Sequence, residues 1–163
     1  MPTEPKASRP YMPGYGILDE KSGRGLLPWS YAVERLTNAR GYWIATTRPD
    51  GRPHVMPIWG VWLDDCFCFS SGSLSRKARN LVANANCTIG VEPADDAIVL
   101  EGLAVLVSDA ELKRRFGQAY EAKYQWNMEE FDEPVYAVRP KVAFAFTTEA
   151  EQFTGSATRW VFE

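Results

Sequence analysis

The stretch that decides the fold is GYWIATTRPDGRPHVMPIWGVWLDDCFCFSS, residues 41–71. Residues 41–47 are rich in side chains that favour β-strands. The segment RPDG at 48–51 is typical of a turn, because proline fixes its own φ angle and Asp-Gly tolerates positive φ. Residues 54–63 and 66–71 have the composition of two more strands. The stretch therefore predicts three consecutive strands in a meander.

Helices and further strands flank this meander. Apolar residues at helical spacing predict helices at 29–40, at 75–84 and after 108. Their predicted caps are Ser30, Ser75 and the capping box at 108–111, which has Ser108 as the cap. The predicted apolar faces are Val33 and Leu36 in the first helix; Ala78, Leu81 and Val82 in the second; and Leu112, Phe116, Tyr120 and Tyr124 in the third. The further strands are predicted at 87–91, 98–107, 135–138, 142–147 and 159–162.

Because the strands come in runs and do not alternate with helices, the pattern predicts an antiparallel barrel, not a doubly wound parallel sheet. The expected class is all-β or α+β, with six to seven antiparallel strands and a few short helices. Gly102 interrupts the strand at 98–107, which indicates a bulge or a close approach of another backbone. No glycine-rich dinucleotide or P-loop motif is present in the sequence.

The chain has 163 residues, about the size of one domain. Residues 1–28 are rich in Pro and Gly and predict an extended arm that is partly disordered at its start, and residues 29–163 predict the domain. A net charge of −3 argues against a general nucleic-acid binder. The sequence has no apolar run long enough to span a membrane and no secretory signal, so we expect a cytoplasmic protein.

The cysteines and the single histidine limit the chemistry. Three cysteines without a CxxC pair do not form a disulfide framework. Cys66 and Cys68 alternate along one strand and are interpreted as small buried side chains on one face. With one histidine, His54, a zinc site would be incomplete, and no metal site is predicted.

The densest polar cluster of the sequence lies at 70–80, where hydroxyl residues end a strand and basic residues open a helix. A helix start carries free N–H groups and a partial positive charge, so Arg76 and Lys77 placed there make an anion site that suits a phosphate. Three cations in a first turn conflict with the helix dipole, and such conflicts often mark function. The alternative interpretation is a solvated basic face of the helix. The candidate anion-binding residues are Ser70, Ser71, Ser75, Arg76, Lys77, Arg79 and Asn80.

A second cluster lies in the strand at 54–59. Pro57 removes one hydrogen bond of the sheet ladder, so a free edge or a kink there would let backbone groups face a ligand. An edge strand without a ligand explains the residues equally well. Trp59 and Trp160 have rings that can stack on a flat ligand, although a tryptophan in a core is the commoner case.

These residues resemble the pyridoxamine-5′-phosphate-oxidase-like flavin-binding split-barrel superfamily. They look most like its flavin/deazaflavin oxidoreductase branch, which includes reductases dependent on coenzyme F-420. The resemblance covers Trp29 to the C-terminus. It is carried by YWIATTRPDGRPHVMPIW (42–59), FSSGSLSRKARNL (69–81), IVLEGLAVLVSD (98–109) and the closing segment at 158–162.

The resemblance implies a role for each matching position. Met56, Pro57, Ile58 and Trp59 correspond to the strand whose backbone meets the flavin or deazaflavin ring. Ser70 and Ser71 correspond to the strand end that touches the cofactor chain. Arg76 and Lys77 correspond to the basic pair on the cofactor phosphate, with Ser75, Arg79 and Asn80 beside them. Arg159 and Trp160 correspond to a C-terminal pair near the cofactor, often across a dimer interface.

The implied function is hydride transfer between a bound cofactor and a small organic substrate with an electrophilic double bond. No residue is assigned as catalytic, and the proton is expected from solvent or a tyrosine. F-420 is the expected cofactor, because the resemblance is to the deazaflavin branch. Its anionic oligoglutamyl tail would suit cations in the arm and first turn, although a merely soluble arm explains the same residues. FMN is the alternative, and a non-catalytic flavin or haem binder is a further one. A homodimer with the cofactor site at its interface is expected, since an open-sided barrel with six tryptophans would expose apolar surface as a monomer. The tail-binding candidates are Lys6, Arg9, Lys21, Arg24, Arg48 and Arg52.

Overall fold

The structure is a computed structural model that describes residues 4–18, 21–130, 132–147, 149 and 151–163. Residues 1–3, where the arm is predicted to be disordered, lie outside the described residues. Within the described ranges, no helix is long and apolar enough to cross a bilayer. The helices are α1 (Trp29–Asn38), α2 (Arg76–Ala83), α3 (Ala110–Tyr124) and α4 (Phe153–Ser156). The strands are β1 (Lys6–Ser8), β2 (Gly41–Thr47), β3 (Pro53–Ile58), β4 (Val61–Leu63), β5 (Cys66–Ser70), β6 (Asn86–Glu92), β7 (Asp96–Leu106), β8 (Val135–Thr147) and β9 (Thr158–Val161).

All strand pairs are antiparallel, and the main order is β1-β9-β8-β7-β6-β2-β3. Strand β5 joins this sheet by pairing with β8, and β4 pairs with β5. The sheet is not closed, because β3 and β1 end the main order. The predicted antiparallel split barrel with a few short helices is therefore confirmed. The described residues form nine strands, two or three more than predicted.

The apolar core lies on the inner face of the curved sheet. Ile44, Ile89, Leu100 and Trp160 are among its buried members, and α1 contributes Leu36. Alternation along β5 sends Phe67 and Phe69 into this core, whereas Cys66 and Cys68 enter a second cluster under α3. All three cysteines are buried and free, as predicted. Burial raises the pKa of the Cys68 and Cys87 thiols to about 12, which makes both unreactive near neutral pH.

The prediction of one strand over 54–63 is wrong, because the chain breaks at Trp59 and Gly60 into β3 and β4. Strand β3 pairs with β2, whereas β4 pairs with β5. A Cβ atom at Gly60 would overlap the ring of Phe67 and the carbonyl oxygen of Cys68. The chain thus changes partner where only glycine fits, and the predicted meander becomes two separate hairpins.

The predicted strands at 135–138 and 142–147 form one continuous strand, β8. The predicted irregularity at Gly102 is confirmed, since the β7–β8 register shifts between Glu101 and Gly102. Gly102 lies opposite Pro140, and a Cβ atom there would overlap the carbonyl oxygen of Arg139. The extra residue is Lys141 of β8, so the long strand itself bulges beside its internal proline.

The helix caps separate one correct prediction from two wrong ones. Ser75 caps α2, as predicted, by accepting a hydrogen bond from the Ala78 amide at 3.2 Å. Ser30 does not cap α1, which begins after Pro28 without a side-chain cap. The cap of α3 is Asp109, whose carboxylate accepts from the Leu112 amide at 2.6 Å, and not Ser108.

The apolar face predicted for α2 is also partly wrong. Val82 is 86% exposed, whereas Asn80 is fully buried beside Ala78 and Leu81. In α1 the buried residues are Ala32 and Leu36, and Val33 is only partly buried. In α3 the predicted face is confirmed, since Phe116 and Tyr124 are buried and the other members pack against their cluster.

The N-terminal arm is held to the domain by a strand and by one buried cation. Strand β1 pairs with β9. The guanidinium of Arg9 donates to the carbonyl oxygens of Ala157 and Ser22, both at 3.0 Å, and to those of Gly155 and Arg24. Arg9 is therefore committed to holding the arm and cannot bind a cofactor tail.

Gly102→Ala is expected to lower the free energy of unfolding by about 1–3 kcal/mol, the cost of forcing a methyl group into a filled space. Gly117→Ala is the control, because a Cβ atom there would make only an ordinary 3.9 Å contact with Met128 in the middle of α3. The control is expected to be at least as stable as the parent, since alanine favours helix. Urea unfolding measures both, and equal stability of the two variants would contradict the close approach at Gly102.

Candidate functional site

Strand β3 forms a free edge of the sheet. It pairs with β2 on one side and ends the main strand order, so its other backbone edge has no strand partner in the described part of the chain. Of the two structures considered for Pro57, the free edge is the one observed. Met56 is 42% exposed, and Pro57 is exposed as well, whereas Ile58 is buried in the core. The backbone of this strand, more than its side chains, is available to a ligand.

Cross-strand pairing decides which β3 side chains point inwards. His54 pairs with Thr46 and Met56 pairs with Ile44, so both share the inner face of the sheet. The inner face at this end of β3 lies against the start of α2, because Asn80 of α2 donates a hydrogen bond to the Thr46 hydroxyl at 3.0 Å. The two clusters that the sequence separates are therefore neighbours.

The serines before α2 mainly shape the loop. The Ser70 hydroxyl donates to the carbonyl of Pro134 at 3.0 Å, and the Ser71 and Ser75 hydroxyls share a hydrogen bond of 3.0 Å. The Glu133 carboxylate accepts from the Ser73 amide at 3.1 Å. One loop amide is thus already bound to an acid, and the amides without an acceptor lie further along, at the helix start.

The first turn of α2 has free donors and free charges. The backbone N–H groups of Arg76 and Lys77 have no acceptor among the residues that the structure describes. Within the same residues, Arg76, Lys77 and Arg79 form no ion pair. Lys77 is half-buried, and this burial lowers the pKa of its ammonium group. Cations that are partly desolvated and unpaired are placed to bind an anion.

Sequence reasoning did not select His54 as a site residue, yet the structure places it among these cations. Partial burial, followed by the charges of Arg48, Lys77 and Arg76, lowers the pKa of His54 below its ordinary value. We call these four residues the cationic cluster. Its members come from the β2–β3 turn, from β3 and from α2. The strand period could have indicated His54 from the sequence, since His54 is two residues before Met56 and so lies on the same face of the strand.

Two buried polar atoms behind the cationic cluster have no partner within the described ranges. They are Oδ1 of Asn80 and Nδ1 of His54. Asn80 is fully buried, so it belongs behind the phosphate surface predicted for it and not on that surface. Thr46 links the two side chains, through its cross-strand pairing with His54 and its hydrogen bond from Asn80.

The end of β3 is clamped by the last turn of α3. The Tyr124 hydroxyl accepts from the Gly60 amide at 3.0 Å and donates to the Gly60 carbonyl at 2.9 Å. Lys123 donates to the same carbonyl at 3.0 Å and to the Tyr42 hydroxyl at 2.7 Å. Burial and the nearby Arg40 lower the pKa of Lys123 to about 8. The indole of Trp59 stacks on Tyr124 with ring centroids 4.6 Å apart, so one of its faces is already covered.

The C-terminal pair does not join this cluster within one chain. Trp160 is 1% exposed and packs against Trp29 at 5.3 Å, so its ring is part of the core and has no face open to a ligand. Arg159 pairs with Phe144 on the outer face of the sheet, whereas His54 and Met56 lie on the inner face. In the strand order, β9 is separated from β3 by four strands.

The outer face of the sheet carries large apolar side chains that are exposed in the described part of the chain. Trp43 is 44% exposed and Val55 is 52% exposed on this face. Farther along it, the arm borders a cavity of about 360 Å³ whose lining includes Tyr11, Phe144 and Arg159. An apolar sheet face of this kind is typical of a surface that binds another protein.

Comparison with known proteins identifies the family. A family model described as "Pyridoxamine 5′-phosphate oxidase" matches residues 31–155. No curated protein gives a significant match to the chain.

Solved structures share the fold at low identity. A conserved hypothetical protein from Mycobacterium tuberculosis has 16% identity and a TM-score of 0.67, with 81% of this chain and 91% of that chain covered. A haem-binding protein from Mycobacterium smegmatis has 15% identity and a TM-score of 0.63, with 80% and 62% covered. A structure titled "F420 Reductase" has 24% identity and a TM-score of 0.55, with 68% and 93% covered. The family model spans residues 31–155, and the solved structures share the open antiparallel barrel. The chain therefore belongs to the pyridoxamine 5′-phosphate oxidase family.

Proposed function

We propose that this chain is an oxidoreductase that binds the deazaflavin coenzyme F-420 and transfers hydride between it and a small organic substrate with an electrophilic double bond. The observation that carries the proposal is the cationic cluster beside the free edge of β3. The cationic cluster would bind an anion, and the adjacent edge of β3 presents backbone groups beside it. Membership of the family and the fold shared with a structure titled "F420 Reductase" support a redox cofactor of this kind.

The residues present fit the phosphate of such a cofactor. Positive charge comes from Arg48, Arg76 and Lys77. Within the described ranges, Arg76 and Lys77 form no ion pair. The amides of Arg76 and Lys77 add donors at the positive end of α2. The edge of β3 suits the polar rim of a flat ring, because its backbone N–H and C=O groups face away from β2.

The chain contributes position and electrostatics to the reaction, and the cofactor supplies the hydride chemistry. The tyrosines nearest Trp59 are poor proton donors near neutral pH. Burial raises the pKa of Tyr120 and of Tyr124, and the Tyr124 hydroxyl is occupied with Gly60. We therefore assign the proton that follows hydride transfer to solvent.

The outer sheet face supports a homodimer with the cofactor site at its interface. Trp43 and Val55 remain about half exposed on this face and would be covered by a second copy. Arg159 lies on this face, and the chain's own sheet holds it away from the cationic cluster. A second copy packed on this face brings Arg159 to the cofactor site of its partner.

FMN is the alternative cofactor, since its phosphate suits the same cationic cluster. A haem binder is the second alternative, supported by the shared fold of the haem-binding protein from Mycobacterium smegmatis. Titration with each cofactor, followed by absorbance of the complex, separates the three, because flavin, deazaflavin and haem absorb differently. A complex with haem alone would overturn the proposed function.

Arg76→Ala and Lys77→Met should each weaken cofactor binding by about 1.5–3 kcal/mol, the range for hydrogen bonds to charged groups. Lys113→Ala, which removes an exposed cation from α3, is the matched control and should bind as the parent does. Equilibrium binding of F-420 and FMN is the measurement. Parent-like affinity of both site variants for both cofactors would mean that the anion site lies elsewhere.

The F-420 tail gives a second test. The test replaces three cations of the arm and the β2–β3 turn together by glutamine: Lys21, Arg24 and Arg52. Two other candidates are left unchanged, because Arg48 belongs to the cationic cluster and Arg9 holds the arm. Deleting the arm is not an equivalent test, since it removes β1. Each exposed contact is worth at most about 1 kcal/mol. F-420 affinity should fall and lose much of its salt dependence, because screening shortens from roughly 10 Å at 0.1 M salt to 3 Å at 1 M.

In the same experiment FMN, which has no oligoglutamyl tail, should bind the triple variant and the parent equally. Isotherms at low and high salt for both cofactors are the measurement. Tighter binding of FMN than of F-420, with no effect of the three substitutions on either, would favour the FMN-dependent alternative.

Val55→Glu should convert the dimer to a monomer, since two copies of a buried, unpaired carboxylate oppose packing. Val82→Glu is the control, because Val82 is exposed on α2 and not on the outer sheet face. Sedimentation velocity of the parent and both variants at micromolar concentration is the measurement. A parent that is monomeric while it holds the cofactor would contradict the interface site.

A further inference from the structure

We propose that His54 is an anion-binding residue of the cofactor site that takes up a proton when the cofactor phosphate enters. This inference rests on the proposed function and goes beyond it by assigning proton-linked binding to a residue that the family resemblance leaves without a role. The observation behind it is geometric: the cross-strand neighbour of His54, Thr46, accepts a hydrogen bond from Asn80, one helical turn after Arg76 and Lys77, and the buried Nδ1 of His54 has no partner among the described residues.

The geometry directs His54 towards that cluster. Its pairing with Thr46 fixes it on the inner face of the sheet, against α2. The charges that act on it come from both sides, Arg48 from the β2–β3 turn and Arg76 and Lys77 from α2. In the described part of the chain, no carboxylate is among the groups that shift its pKa. A protonated ring would therefore face only like charge.

A cofactor phosphate reverses this balance. Burial and the three cations lower the pKa of His54 from its ordinary value, so they favour the neutral ring when no anion is present. An anion between Arg76, Lys77 and His54 offsets the cationic field and favours the charged ring. Because binding and protonation are linked, the ligand raises the proton affinity of His54, and protonation in turn strengthens ligand binding by the same factor. Affinity should accordingly rise as pH falls.

The buried polar atoms behind the ring fit this role. Nδ1 of His54 is buried and Oδ1 of Asn80 is a buried acceptor, and neither has a partner within the described residues. Both side chains adjoin Thr46. A buried ring nitrogen without a partner is a group that gains a hydrogen bond when an anion or a water molecule enters the site.

The single histidine makes the test direct. In a proton NMR titration of the full chain, the Hε1 signal of His54 reports ring protonation without a variant and without turnover. The measurement is made between pH 5 and 8.5 without ligand, with saturating F-420 and with saturating FMN. The midpoint should lie higher with either cofactor than without. An unchanged or lower midpoint at saturation with both would overturn the role of His54.

A binding experiment gives an independent readout. His54→Gln replaces the imidazole by a polar amide that cannot titrate near neutral pH. The ratio of F-420 affinity at pH 6 to that at pH 8 should be about tenfold larger for the parent than for the variant, which is the effect of a one-unit change in proton affinity. The comparison cancels the titration of the cofactor itself and of Lys123, whose pKa of about 8 is common to both proteins. Equal ratios would overturn the inference.

The outcomes separate this inference from the function on which it rests. If F-420 or FMN binds and the signal of His54 does not respond, the inference alone fails. If neither cofactor binds the parent, the proposed function fails and the role of His54 fails with it.

Discussion

The close approach at Gly60 is the constraint on which the candidate site depends. The ring of Phe67 and the carbonyl of Cys68 leave no room for a side chain there. The chain therefore ends its pairing with β2 at Ile58 and starts a new pairing with β5 at Val61. This change of partner leaves β3 as a free edge, and the edge is what a planar cofactor would need. Tyr124 and Lys123 then fix the junction from α3, so the edge is held in place although no strand covers it.

The electrostatics of the molecule are local. The chain as a whole is acidic, with a net charge of −3, yet Arg48, Arg76 and Lys77 gather around His54. Elsewhere, arginines on exposed surfaces pair with acids: Arg35 with Asp96, Arg52 with Asp50, Arg114 with Glu111, and Arg115 with Asp64. Exposed pairs of this kind add little stability, at most about 1 kcal/mol each. Each of these arginines thus has an acid beside it, whereas the cations at the start of α2 have no ion-pair partner among the described residues.

Features set by local chemistry could be predicted from the sequence, and features set by distant contacts could not. Ser75 as a cap follows from its position before α2, and the irregularity at Gly102 follows from a glycine inside a strand. Ser108 and Asp109 are both able to cap α3, and the start of the helix at Ala110, which the sequence does not fix, makes Asp109 the cap. In α2 the sequence predicts a buried Val82, whereas the structure buries Asn80. Asn80 can be buried because its side chain donates a hydrogen bond to the hydroxyl of Thr46, 34 residues earlier in the chain.

The same distinction applies to the site. The motif at 69–81 marked the helix start where free amides and unpaired cations lie, because charge and helix polarity are readable in sequence. The position of His54 beside that helix start could not be predicted from the sequence, since it depends on the packing of α2 against the inner face of β2 and β3. Arg9 looked like one more arm cation, and only the fold shows four carbonyl groups converging on it.

The two ends of the sheet explain why a single chain gives only part of the proposed site. Strands β3 and β9 face different surroundings: β3 is an open edge, and β9 lies between β8 and the arm strand β1. The side chain of Trp160 points into the core, which fixes its neighbour Arg159 on the outer face by strand alternation. Arg159 is partly buried, and no described acid forms an ion pair with it. A cation held on an apolar face gains most from an anion that another molecule brings to that face. In the proposed dimer, the cofactor bound to a second copy would provide such an anion, so the burial of Trp160 and the placement of Arg159 both favour the proposed interface site.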